Sequence, residues 1–172
     1  MNKIFTSKIT ITAIFSCLSS IAFTLENLLP PFFIPGAKLG LSNIFILLCA
    51  ILVDKKSGYL VLIIKILIGS IVTGNYLSIL YSLPAGLISY TIEIMLFFNI
   101  KKISIISTSV FGSVVNICLQ NIVFCIITKT FEFLIYMPYF VVLGTISGAI
   151  IGLIVFLTVN SLTKRNILEK QN

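Results

Sequence analysis

The chain has 172 residues, 58% of them hydrophobic and only 10% charged, with a formal net charge of +7. A soluble domain averages about 25% charged residues, so this composition excludes a water-facing surface and points to lipid as the solvent. Histidine and tryptophan are absent, which excludes histidine metal sites and histidine acid–base catalysis. The basic residues sit at the borders of apolar runs and not on one face, which argues against a nucleic-acid partner.

In hydrocarbon every backbone N–H and C=O needs a partner in its own segment or in a closed barrel. The apolar runs here are long and do not alternate with period two, so a barrel is excluded and an all-α integral membrane protein of one domain is expected. A crossing helix takes about 20 mostly apolar residues. The first is predicted over about 9–28; Lys3 and Lys8 before it resemble the start of a signal peptide, but no small-x-small cleavage site follows, and the helix is read as retained. Pro30, Pro31, Pro35 and Gly36 then break the chain. The second span, 37–53, is short and ends at Asp54-Lys55-Lys56. The third runs over 58–72 up to Thr73-Gly74-Asn75, the fourth over 76–98, and the fifth over 103–128. A segment with Lys129, Glu132 and Pro138 precedes the sixth, 139–159.

Positive charge marks the cytoplasmic side. With six spans, Lys3, Lys8, Lys55, Lys56, Lys101, Lys102, Lys164, Arg165 and Lys170 fall on one side, and only Lys38 and Lys129 on the other. This predicts a six-helix bundle with both termini inside. The four cysteines, Cys17, Cys49, Cys118 and Cys125, lie within apolar runs and are read as small buried hydrophobes.

Several residues could carry chemistry. Lys65 lies near the middle of the third span, where a charge is costly and usually faces the bundle interior. Glu93 in the fourth span lies at a depth within about 3 Å of it, so an intramembrane Lys65–Glu93 ion pair is expected; the alternative is Lys65 snorkelling to the interface. In the fifth span Ser109, Ser113, Asn116 and Gln120 follow helical spacing, with Gly112 beside them and Asn121 nearby. They form either a substrate-binding wall or a set of interhelical hydrogen bonds. Pro35-Gly36-Ala37-Lys38-Leu39-Gly40 opens the second span, where free helix N–H groups and Lys38 favour an anionic ligand; the alternative is a tight turn with Lys38 in water. Gly144, Gly148 and Gly152, four apart, are read as a helix-packing track. Ala13, Ser16, Cys17 and Ser20 form a small-residue stripe for a neighbouring helix or a partner. There is no Walker loop and no Asp-rich D-D-x-x-D pair; the acidic residues Glu26, Asp54, Glu93, Glu132 and Glu169 are scattered, so no catalytic residue, metal or cofactor is expected.

The stretch Pro35-Gly36-Ala37-Lys38-Leu39-Gly40-Leu41-Ser42-Asn43 resembles the hallmark of the Gx transporter family, also named heptaprenyl diphosphate synthase component I. Ile66-Leu67-Ile68-Gly69-Ser70 after Lys65, Leu80 to Gly86, and Gly112 to Gln120 are similar to further motifs of that family, with Asn116 in place of a typical histidine. The family in turn is similar to the substrate-binding S components of energy-coupling factor (ECF) transporters. That resemblance implies a small-solute uptake component in the bacterial cytoplasmic membrane, with Lys38, Asn43, Asn75, Asn116, Gln120 and Asn121 as pocket candidates. It also implies Ala13, Ser16, Cys17 and Ser20 as the docking face for a coupling protein served by two ATPases. The other family name implies instead a non-catalytic subunit that assists a prenyl transferase in polyprenyl diphosphate synthesis.

Overall fold

The computed structural model describes residues 3–28, 40–100 and 103–169, with side chains over 7–28, 40–100 and 103–164. Six helices follow in order: α1 (Lys3–Leu28), α2 (Asn43–Leu52), α3 (Lys55–Val72), α4 (Leu77–Asn99), α5 (Ile105–Thr128) and α6 (Met137–Glu169). A 3-10 turn, Phe131–Tyr136, joins α5 to α6, and no strand occurs among the described residues. The all-α architecture expected from the apolar runs is therefore observed. Four segments, Ser7–Asn27, Leu77–Asn99, Ile105–Thr128 and Phe131–Lys164, are long and apolar enough to cross a membrane.

The bundle is polar inside and apolar outside. Ile9, Ile14, Ile21 and Leu25 of α1, Ile71 of α3, Leu80 of α4 and Val142 and Ile146 of α6 are exposed. Ser16, Ser19, Ser70, Ser78, Ser82, Thr108 and Ser109 are buried beside Phe23, Val61 and Ile66. Water-soluble folds sort the two classes the other way, and an outer face of this kind is satisfied by lipid. Inside, several of the hydroxyls find backbone partners: Ser16 donates to the Thr12 carbonyl at 2.8 Å and Ser20 to the Ser16 carbonyl at 2.8 Å. Cys49 and Cys125 are buried as expected, whereas Cys17 is exposed.

Contacts at the helix ends fix which ends lie together. Lys8 Nζ of α1 meets Asp54 Oδ2, between α2 and α3, at 3.4 Å. The Tyr90 hydroxyl of α4 donates to the Lys55 carbonyl at 3.0 Å, and Lys55 Nζ sits 4.1 Å from the centre of the Phe98 ring. The start of α1, the α2–α3 junction and the end of α4 thus share one end of the bundle. Helices α5 and α6 run antiparallel, with Gly144, Gly148 and Gly152 facing Val114, Val110 and Ile106.

Several boundaries differ from expectation: α1 begins at Lys3 instead of about 9, α3 at Lys55 instead of about 58, and α2 and α6 differ more. The sixth helix continues to Glu169, a length of 33 residues or about 50 Å. The second helix has only 10 residues, about 15 Å, because Gly40 takes a positive φ of 72° and residues 40–42 are not helical. Residues 37–39 lie outside the described residues. A helix of this length covers about half of a hydrocarbon core roughly 30 Å thick.

Two predictions follow from packing and capping. A Cβ on Gly148 would sit 2.5 Å from Val110 Cα and 2.8 Å from the Ser109 carbonyl oxygen, both backbone atoms that cannot swing aside. Gly148→Ala is expected to cost about 1–3 kcal/mol, read as a lower thermal midpoint in detergent. Asp54 caps α3 by accepting the Ser57 N–H at 2.7 Å; that bond first, and Lys8 to a lesser extent, hold its carboxyl below the usual carboxylate range. The cap's contribution is therefore complete above the unfolded-state value of about 3.9 and is lost as pH falls through the lower folded value. Asp54→Ala should remove about 0.5–2 kcal/mol near neutral pH and make the acid limb of a stability–pH profile shallower.

Candidate functional site: a polar column between α3, α4 and α5

The site begins where α2 begins. Lys65 is ten residues into α3 from Lys55, about 15 Å along the axis, and its side chain is buried. Its ammonium donates to Ser42 Oγ at 3.0 Å and to Asn43 Oδ1 at 2.6 Å, and lies 5.7 Å from the centre of the Phe23 ring. The non-helical chain before α2 is tied from its other side by α1. Ser19 Oγ donates to the Ser42 carbonyl at 2.9 Å, and the Leu41 N–H donates to Glu26 Oε1. Backbone that leaves the helix at membrane depth is tolerated where protein or a cavity meets its polar groups.

Lys65 and Asn43 form one wall of a cavity whose other walls are α4 and α5. From α4 come Ser82, Gly86, Ser89 and Glu93; from α5 come Ser109, Gly112, Ser113, Asn116 and Gln120. The two helices run antiparallel, so Glu93 faces Gly112, Ser89 faces Asn116, and Ser82 lies toward Gln120. A Cβ on Gly112 would lie 2.9 Å from the Glu93 carboxyl carbon, so glycine makes room for the acid. Ser89 Oγ donates to Asn116 Oδ1 at 3.3 Å, and Gln120 Nε2 donates to the same oxygen at 3.3 Å. From Ser109 to Gln120 is eleven residues, so the polar lining extends about 16 Å. Three buried atoms on it, Ser82 Oγ, Ser109 Oγ and Gln120 Oε1, have no protein partner. The cavity leaves about 30 Å³ for water-sized molecules. A buried water needs about 10–15 Å³, so the space admits two or three waters and no solute of organic size.

The residues singled out by sequence separate as follows. Asn43, Asn116 and Gln120 line the column, together with the rest of the α5 stripe. Asn121 does not: its Nδ2 donates to the Phe133 carbonyl at 3.4 Å, and Cys125 Sγ lies 3.7 Å from its Oδ1. Asn75 is exposed beyond α3 and bonds Tyr81. Lys38 lies outside the described residues. Lys65 and Glu93 line the same cavity and interact electrostatically, while the hydrogen bonds of the Lys65 ammonium go to Ser42 and Asn43. Of the α1 stripe, Ser16 and Ser20 are buried within the bundle, and only Ala13 and Cys17 face outward. The four therefore do not form one outward docking face. The three α6 glycines pack on α5 backbone. Sequence reasoning found Glu93 but missed the rest of the α4 wall, although Ser82, Gly86, Ser89 and Glu93 follow i, i+4, i+7, i+11 spacing. It also missed Ser42, whose role depends on α2 starting late.

A bundle with an apolar exterior, four helices of crossing length and a buried polar interior is a polytopic helical membrane protein. The family described as heptaprenyl diphosphate synthase component I matches residues 15–157. The chain belongs to that family, in agreement with the resemblance of its second-span motif. No curated protein and no solved structure matches the chain.

The geometry makes Lys65 the centre of the site. Lys65→Met removes the donor to Asn43 and Ser42 and the positive charge acting on Glu93. Removing one partner of a buried charge pair costs about 3–5 kcal/mol, and a loss of that size is expected in thermal unfolding. Adding Glu93→Gln should recover part of it; strictly additive costs in the double-mutant cycle would show that the two charges are not coupled.

Proposed function

We propose that this chain is the non-catalytic membrane component of a polyprenyl diphosphate synthase, working beside a prenyl transferase subunit in the bacterial cytoplasmic membrane. The family match over residues 15–157 is the observation that carries this reading. The chemistry of the chain agrees with a division of labour. Its five acidic residues are dispersed, and among the described residues no group of three His, Cys, Asp or Glu side chains could hold a metal ion. Prenyl transfer consumes a diphosphate, whose charge calls for clustered acids and divalent cations, so the partner would supply that centre. The long polyprenyl product is apolar and belongs in lipid, where a bundle with the exposed Ile and Leu surface of this one resides. In this reading the helices cross six times with both termini inside, the arrangement the distribution of lysines favours.

A second reading is favoured by the buried column: a small-solute binding component of an ECF-type transporter, driven by a coupling protein and two ATPases. Lys65, Glu93 and the unpartnered oxygens suit a polar ligand in chemistry. The space of about 30 Å³ counts against a preformed solute pocket.

Affinity purification of the full chain in mild detergent, with co-purifying proteins and small molecules identified, separates the two. Recovery of a prenyl transferase, and a shift in polyprenyl chain length when the chain is deleted, is the expected outcome. Recovery of a coupling protein with two ATPases and a bound solute would replace this reading by transport.

A further inference from the structure

We propose that the column between α3, α4 and α5 is a water-filled proton path that ends on the Glu93 carboxyl, with Lys65 as its fixed counter-charge. The inference does not depend on which partner the chain has. It rests on three features of the cavity. First, Ser82 Oγ, Ser109 Oγ and Gln120 Oε1 are buried without a protein partner although the residues are 2%, 1% and 8% exposed. Buried polar atoms of this kind are satisfied by internal water, because leaving them bare costs about 1–3 kcal/mol each. Second, the free space of about 30 Å³ matches two or three waters. The lining extends about 16 Å along α5, so the polar side chains must bridge between those waters. Third, a carboxyl lies along that file. Among the described residues no hydrogen bond reaches Glu93, and its carboxyl lies against Gly112, facing the space and not a protein donor.

The groups facing Glu93 leave it as the residue that exchanges protons. Lys65 comes from α3, held by Ser42 and Asn43. Tyr90, one turn earlier on α4, has its hydroxyl engaged with the Lys55 carbonyl. From α2 comes Asn43, and from α5 come Ser109, Gly112, Ser113 and Asn116, none of them ionisable near neutral pH. In the proposed transfer, a proton that enters past Gln120 moves along the file. Each water and hydroxyl takes one proton and passes one on, and the last O–H bond to a water breaks as an O–H bond to the Glu93 carboxylate forms. The net change is one proton taken from solution and one carboxylate neutralised; the reverse sequence releases it. Lys65 offsets the charge of the ionised state.

Infrared difference spectroscopy on the full chain in lipid nanodiscs, titrated from acid to alkaline pH in H₂O and D₂O, tests this. The wild type should show a protonated-carboxyl band that disappears as pH rises and shifts in D₂O; Glu93→Gln should lose it. Gln120→Leu, eight residues or about 12 Å along α5 from the Gly112 that faces the acid, should keep the band but slow its D₂O shift. It also provides the test should Glu93→Gln fail to fold. A band in the wild type that neither titrates nor shifts in D₂O, the absence of any such band, or a Gln120→Leu variant that exchanges as fast as wild type would overturn the proposal.

Discussion

Backbone that stops being helical at membrane depth must find its hydrogen bonds inside the protein, since lipid offers none. In this chain that constraint falls on residues 40–42, just before the 10-residue α2. The side chains that meet it come from two neighbours. Helix α1 supplies Ser19 to the Ser42 carbonyl and Glu26 to the Leu41 amide. Helix α3 supplies Lys65 to Ser42 Oγ and Asn43 Oδ1. The short helix, the buried lysine and the polar cavity are thus one arrangement. A buried ammonium is costly in lipid, and here the interrupted helix gives it acceptors while it gives the interruption a donor. Once the lysine is fixed in place, the cavity beyond it acquires a permanent positive side, and the carboxyl of Glu93 across the space acquires a reason to be tolerated.

The polar column depends on a second economy of side chains. Helix α5 has small or polar residues at 109, 112, 113, 116 and 120 on one face and packs its backbone at 106, 110 and 114 on the α6 glycines. The two faces pack differently. Toward α6 the glycines permit backbone contact of the kind that holds membrane helices together without a hydrophobic driving force. Toward α4 the small residues leave space for the Glu93 carboxyl and for water. Pro84 stands in the middle of α4 without ending it, which membrane helices tolerate when neighbours satisfy the freed carbonyl.

Much of this was legible in the sequence because lipid makes strong demands. The run lengths and absence of period-two alternation predict helices, and the α5 stripe emerges as a cavity wall because four polar residues on one face of an apolar helix must face protein or water. The length of α2 was not legible. Leu39, Leu41 and Ile44 are as apolar as any helix interior, and only the positive φ at Gly40 reveals where the helix starts. The α1 stripe misled for a geometric reason. Residues 13, 16, 17 and 20 share a face, but the buried line on α1 runs through Thr12, Ser16, Ser19, Ser20 and Phe23, rotated by a few tens of degrees. The pattern of small residues fixes that some face packs closely, not which neighbour it meets. Apart from Glu93, the α4 wall was hidden because its polar residues are single hydroxyls among bulky Leu, Ile and Tyr, and hydroxyls satisfied along their own helix are common in membrane spans.

The glycine track of α6 has an effect beyond joining two helices. A Cβ on Gly148 would lie 3.0 Å from Ser113 Cβ, and one on Gly152 would lie 3.1 Å from Ser109 Cβ. Those two serines also line the cavity, so at this point the wall is a single side chain thick. Its inner width is consequently governed from the rear: bulk introduced on α6 is transmitted straight through the serines into the space they border. The bore of the column is set by residues that never meet what it contains.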